Sequence, residues 1–260
     1  VTPLETTDLL EDRSLRGPNF CRALTERIDG FLAEVFVAAD PPTGTALVAV
    51  GGYGRREQCP GSDVDVVLVH PPGVDIADVA ERVWYPLWDA GLKLGHQVGT
   101  LPQLLEVASE HLDTATSLLA ARPVAGDPVV AERLAAEALE QWSGRSRRHL
   151  DDLQASVAER HARYGEVAFL LEPDLKESRG GLRDVHNLLW VEQATVPILR
   201  EVESAGLVAA AETLLAVRVE LHRLTGQRAD RLLLELQDDV AAALDLADAD
   251  VLMAEVAAAA

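Results

Sequence analysis

Residues 48 to 70, VAVGGYGRREQCPGSDVDVVLVH, constrain the fold more than any other stretch of this chain. A short apolar run of strand character, TALVAV, ends in the glycine pair Gly51 and Gly52. A charged stretch follows, and then a valine-rich strand, DVDVVLV, carries Asp63 and Asp65. Side chains on a strand alternate with period two, so the two carboxylates project from one face with Cα atoms about 6.5 to 7 Å apart. Unpaired, they would repel each other and lose hydration. A bound Mg²⁺ reverses that sign, because it prefers hard oxygen ligands and also takes phosphate oxygens. Glycines at the end of the preceding strand let the backbone come close to a phosphate, with a helix starting nearby to offer free N–H groups. Arg55 and Arg56 follow directly as countercharges for a triphosphate. A tight GG turn and a solvated edge strand would explain either half of the stretch alone; both together in this order favour a metal and nucleotide site.

The surroundings place that hairpin in an α/β unit. Residues 5 to 39 have helical spacing and end at the breaker DPPTG, residues 75 to 91 read as a helix, LKLGHQVGT as a third strand, and LPQLLEVASEHLDTATSLLAARPVAGD as helix with a loop near Val124 to Asp127. From residue 128 the strand signals stop and the periodicity is helical, including GGLRDVHNLLWVEQATVPILREV. The expectation is an α+β fold, with a small mixed sheet in an α/β domain over 1–127 and an all-helical domain over 128–260. The last residues, VLMAEVAAAA, read as a helix cut partway, so a longer native chain is expected.

Charge narrows the partners. With 43 acidic and 23 basic residues the net charge is −20, which disfavours nucleic acid while leaving room for one small anion. No run approaches the roughly eighteen apolar residues of a membrane span, and the acidic N-terminus is unlike a signal peptide, so a cytoplasmic protein is expected. Cys21 and Cys59 have no ligand spacing and read as reduced structural thiols. His96, His186 and His222 are isolated and read as packing or hydrogen-bonding residues, and Trp84, Trp88 and Trp190 as core.

A strand, GG, a ten-residue stretch and DxD within a second strand resemble the nucleotidyltransferase superfamily of the DNA polymerase β type. A second motif, LEPDLKESRGGLRDVHNLLWV at 171 to 191, resembles the signature that follows the catalytic domain of bacterial PII uridylyltransferases. PLWDAGLKLGHQV, DTATSLLAARPVAGD and RADRLLLELQDDVA are similar to the same family, so the likeness spans roughly 45 to 260. It implies transfer of UMP from UTP, or AMP from ATP, to a tyrosine hydroxyl of the PII signalling protein, with Mg²⁺ as cofactor and pyrophosphate as product. On this likeness Asp63 and Asp65 are the catalytic metal ligands, Gly51, Gly52, Arg55 and Ser62 bind nucleotide, and Lys176 and Arg183 contact nucleotide or partner. A simpler role for Lys176 and Arg183 is to flank a GG turn that organises a helix start.

Three positions depart from the family pattern. Lys93 and Ala120 stand where relatives tend to carry acids, one of which would complete the metal site, and Gly99 stands where they tend to carry arginine. Asp113 is the available substitute for the third acid. Two alternatives therefore stand beside the active enzyme: a regulatory module that binds nucleotide or docks PII without catalysis, and a nucleotidyltransferase with another acceptor.

Overall fold

A computed structural model describes residues 1–194 and 201–260. Its elements, in chain order, are α1 (Thr7–Glu11), α2 (Gly17–Ala38), β1 (Ala46–Ala49), α3 (Gly51–Gly54), β2 (Val64–Val69), α4 (Ala77–Asp89), β3 (Leu94–Gly99), α5 (Leu101–Glu110), α6 (Leu112–Leu118), β4 (Arg122–Gly126), α7 (Pro128–Gly144), α8 (Ser146–Tyr164), α9 (Leu182–Ala194), α10 (Glu201–Thr225), α11 (Leu234–Ala243) and α12 (Ala249–Ala259). The part of the predicted helical stretch that runs from 195 to 200 lies outside the described residues. The chain forms two compact units, one of residues 1–9 and 22–144, the other of residues 10–21 and 145–260. Helix α2 gives residues 17–21 to the second unit and the remainder to the first.

The first unit is built on a four-stranded mixed sheet in the order β3-β2-β1-β4. Strand β1 runs antiparallel to both β2 and β4, whereas β2 and β3 are parallel, with Asp65 opposite Gly95. Every residue of ALVA in β1 is buried, and in β2 only Asp65 breaks the burial. Central strands covered on both faces must be apolar throughout, which is why neither shows hydrophobic alternation. The amphipathic α4 buries Val79, Ala80, Val83, Trp84 and Leu87 on one stripe. Helix α5 starts at a capping box in which the Thr100 N–H donates to Gln103 Oε1 at 2.9 Å.

The structure corrects three sequence expectations here. The stretch expected as helix and loop around Val124 holds strand β4. Its five residues include Pro123, which an edge strand tolerates and which reads as a loop in sequence. Helix α7, expected at the start of the helical domain, buries Ala131, Leu134, Ala138 and Trp142 and packs on β1, β4, α5 and α6, so the first unit runs to Gly144 rather than 127. Trp88, expected in the core, is 44% exposed and meets Tyr85 and His96 edge-on, while Trp84 and Trp190 are buried. Both cysteines are buried and outside any disulfide, as expected.

In the second unit α10 is buried on nearly all sides over Leu214 to His222. A helix buried all round has no solvated face for its polar residues, so each needs a partner. Glu220 accepts from Arg13 and from Arg223, both at 2.7 Å. Arg223 also donates to the carbonyls of Leu15 and Asp12 and lies 4.2 Å from the centre of the Phe20 ring. These bonds hold residues 10–21 within the second unit. Helix α8, by contrast, buries only His149, Leu153 and Arg160.

Candidate active site

The site is assembled where β1 hands over to α3. Val50 is extended, and its N–H donates to the Asp65 carbonyl at 3.0 Å, which ties the end of β1 to the start of β2. The next residue, Gly51, takes φ +57°, a left-handed conformation that a side chain disfavours. A β-carbon there would lie 3.1 Å from both Asp65 Oδ2 and Ser117 Oγ. Across β2, a β-carbon on Gly95 would overlap Asp65 Oδ1. The Asp65 carboxylate therefore sits between two glycines, in space that side chains would fill. It opens on a cleft of about 240 Å³ lined also by Gln97, Asp113 and Ser117. Asp113 and Ser117 are four residues apart on α6 and share one helix face.

The remaining sequence candidates of this unit fall close by. Asp63 precedes β2 rather than lying in it, and is half-buried like Asp65. The Ser62 hydroxyl is buried and has no hydrogen-bond partner, a polar atom left over by the protein. The Arg55 guanidinium lies beside Gly52, 3.8 Å from where its β-carbon would be, and bonds Glu57 at 2.9 Å. Arg56, the other expected countercharge, instead faces Glu26 at 3.6 Å. Among the described residues no group of three or more His, Cys, Asp or Glu is arranged to hold a metal ion. The donor set still suits Mg²⁺, which is commonly held by one or two carboxylates with substrate phosphates and water completing its shell.

The departing positions also have places. Lys93 is exposed directly before β3, and its carbonyl accepts from the Val64 N–H at 2.7 Å, which sets it alongside Asp63. Ala120 follows α6 with its carbonyl packed against Gly54. Gly99 pairs with Val69, four residues along β3 from Gly95, or about 13 Å.

Helix α3 is held by residues that belong to neither the GG nor the DxD motif. Tyr53 is fully buried and its hydroxyl donates to Asp29 Oδ1 at 2.5 Å. Arg122 grips the same carboxylate at 2.7 and 3.0 Å. Burial, and then the Asp29 charge, push the Tyr53 phenol far above its usual value, so it stays a donor. The available signal was Asp29 itself, an acid beside the buried Ile28, Phe31 and Leu32 of α2.

In the second unit the signature at 171 to 191 folds as a compact knot. The Asp174 carboxylate accepts from the N–H groups of Lys176 and Glu177, and the Leu182 and Arg183 N–H groups donate to the carbonyls of Leu175 and Lys176. Asp184 accepts from the Gly180 N–H at 2.8 Å, from Arg160 and from His161. Burial would raise the Asp184 carboxyl, but these bonds hold it below its usual value. The helix-start role for the GG turn is thus fulfilled, by Asp184. The side chains of Lys176 and Arg183 take no part in this scaffolding: both approach Glu177, at 3.7 and 3.4 Å. Burial, then the Arg183 charge, push the Lys176 ammonium below its usual value. Asp230 nearby bonds Arg218 at 2.6 Å. Burial opposes its charge, yet His222, Arg218 and Lys176 together hold its carboxyl far below the usual range.

The same signature region, residues 148–260, matches the family model described as GlnD PII-uridylyltransferase. Over these residues the chain is similar to the PII-uridylyltransferase family. Among its relatives, the bifunctional uridylyltransferase/uridylyl-removing enzyme of Streptomyces coelicolor is 45% identical over 251 residues, covering 95% of this chain and 30% of the relative. The enzyme of that name from Mycobacterium tuberculosis strain H37Rv is 40% identical over 213 residues, 79% of this chain and 26% of the relative. That of Nitrosospira multiformis is 36% identical over 253 residues, 89% of this chain and 28% of the relative. The chain thus spans under a third of the length of these relatives.

Proposed function

We propose that the chain transfers a nucleotidyl group, UMP from UTP or AMP from ATP, to a tyrosine hydroxyl of a PII protein and releases pyrophosphate. The observation that supports this most is the Asp65 carboxylate seated between Gly51 and Gly95 at the mouth of a cleft. Two carboxylates, a glycine turn and a spare buried hydroxyl make a place for a metal-bound triphosphate. Asp63 and Asp65 would hold Mg²⁺, which neutralises developing charge on the phosphates and fixes their geometry. Gly51 and Gly52 allow close backbone approach of the phosphates, Ser62 offers a free donor, and Arg55 can exchange Glu57 for a phosphate oxygen. The acceptor phenol has a pKa of about 10 and must lose its proton as it attacks the α-phosphorus. Asp113, which lines the cleft, is the carboxylate we propose as the proton's acceptor. The new phenolic O–P bond forms while the bond from the α-phosphorus to the β-phosphate oxygen breaks. Lys176 and Arg183 are proposed contacts to nucleotide or to PII, and the setting is cytoplasmic. No helix among the described residues is long and apolar enough to cross a membrane.

A second reading, a module that binds nucleotide or docks PII without catalysis, is favoured by Lys93, a cation alongside Asp63. The chain incubated with labelled UTP or ATP, Mg²⁺ and a PII protein separates the two. Label on PII that vanishes in Asp65→Ala supports transfer. Nucleotide binding without label on PII supports the second reading, and label on another component supports a different acceptor.

A further inference from the structure

Helix α3 is a single turn of four residues, too short to hold its own position. Yet the close fit of Gly51 against Asp65 and Ser117 requires that position to be fixed. The fixing groups lie at its other end, on elements outside the GG and DxD motifs. Tyr53 of α3 donates from its hydroxyl to Asp29 of α2. Arg122, the first residue of β4, bonds both oxygens of Asp29, lies 5.5 Å from the centre of the Tyr53 ring, and points its Nε at the Gly54 carbonyl, 3.4 Å away. Asp29 is thus the shared acceptor through which α2 and β4 hold the glycine turn. Its carboxylate and the Arg122 guanidinium are four-fifths buried, so the charges are poorly screened by solvent.

We infer that Asp29 is a positioning residue of the nucleotide site, acting through Tyr53 and Arg122 to set the distance between the glycine turn and Asp65. The inference rests on the nucleotidyltransferase reading above. A displacement of about 1 Å in such a site can lower reactivity on the order of a hundredfold, and phosphate binding by close backbone approach is similarly sensitive to position.

The test compares affinity for UTP and for ATP, with Mg²⁺, in the 260-residue wild type, Asp29→Asn, Asp29→Glu, Tyr53→Phe and Leu134→Ala. All are measured below their melting temperatures. Leu134, buried in α7 and outside the hydrogen-bonded cluster of Tyr53, Asp29 and Arg122, is a control for lost stability alone. Asp29→Asn should weaken binding roughly tenfold and Tyr53→Phe roughly threefold, with Asp29→Glu recovering part of the loss and Leu134→Ala binding as wild type. Tyr53→Phe removes one hydrogen bond without leaving an unpaired charge, so it carries the test if Asp29→Asn does not fold. Variants that melt earlier but bind as tightly as wild type overturn the inference alone. A wild type that binds neither nucleotide overturns the inference and the reading beneath it together.

Discussion

Gly95 faces Asp65 across the parallel β2–β3 ladder, and the Asp65 carboxylate lies in the space a side chain on Gly95 would need. Gly95→Ala should therefore displace the carboxylate and lower nucleotidyl transfer on the order of a hundredfold. Because glycine within a strand is itself unfavourable by about 0.5–1 kcal/mol relative to alanine, the substitution should cost little stability. Melting temperature and transfer rate measured on the same preparation check this, and parallel loss of both would contradict it.

Lys93 lies alongside Asp63 through the Val64 N–H bond to its carbonyl. Lys93→Glu replaces a cation by a carboxylate next to the proposed metal site and should tighten apparent Mg²⁺ affinity roughly tenfold, through the Coulomb energy of that reversal. Isothermal titration with Mg²⁺ in the presence of nucleotide reads the change directly. Unchanged affinity would remove Lys93 from the account of the site.

Glu220 and Arg223 form a buried pair, each with a side chain 1% exposed. Glu220→Ala leaves Arg223 without its carboxylate and should destabilise the second unit by about 3–5 kcal/mol. Hydrogen exchange should show residues 10–21 losing protection, because Arg223 and Arg13 hold that segment. Protection of 10–21 equal to wild type would show that the pair does not hold it.

Asp184 supplies an acid-sensitive contribution. Its carboxyl is held below its usual value, so the stability it adds is fully present above the unfolded value of about 3.9 and is lost as pH falls below it towards the folded value. Denaturant unfolding of wild type and Asp184→Ala should differ by a constant amount near neutrality and converge below about pH 4. A difference independent of pH would contradict the ionised role of Asp184.

Much of this was legible because backbone needs a residue type. A glycine pair after a buried strand, and two acids two residues apart at the start of the next, point to the neighbourhood of Gly51 and Asp65 from sequence alone. The sheet was under-read at β4, since an edge strand with Pro123 has neither the length nor the alternation that marks a strand. Trp88 was misplaced because helical spacing puts a residue near the apolar stripe without saying whether a neighbour covers it. Asp29 and Arg122 are 93 residues apart, and Gly95 and Ser117 owe their roles to packing around Asp65; such long-range pairings leave no local pattern. The signature at 171 to 191 is legible whole, but only contacts separate the side chains of Asp174 and Asp184, which build its turn, from those of Lys176 and Arg183, which do not.

The central claim is that Asp65 serves nucleotidyl transfer to PII. Its most direct measurement is the intact mass of a PII protein after incubation with the chain, Mg²⁺ and either UTP or ATP. The account predicts a gain of one UMP or AMP per PII subunit, mapped to a tyrosine and absent with Asp65→Ala. An unmodified PII, or the same gain with Asp65→Ala, would contradict it.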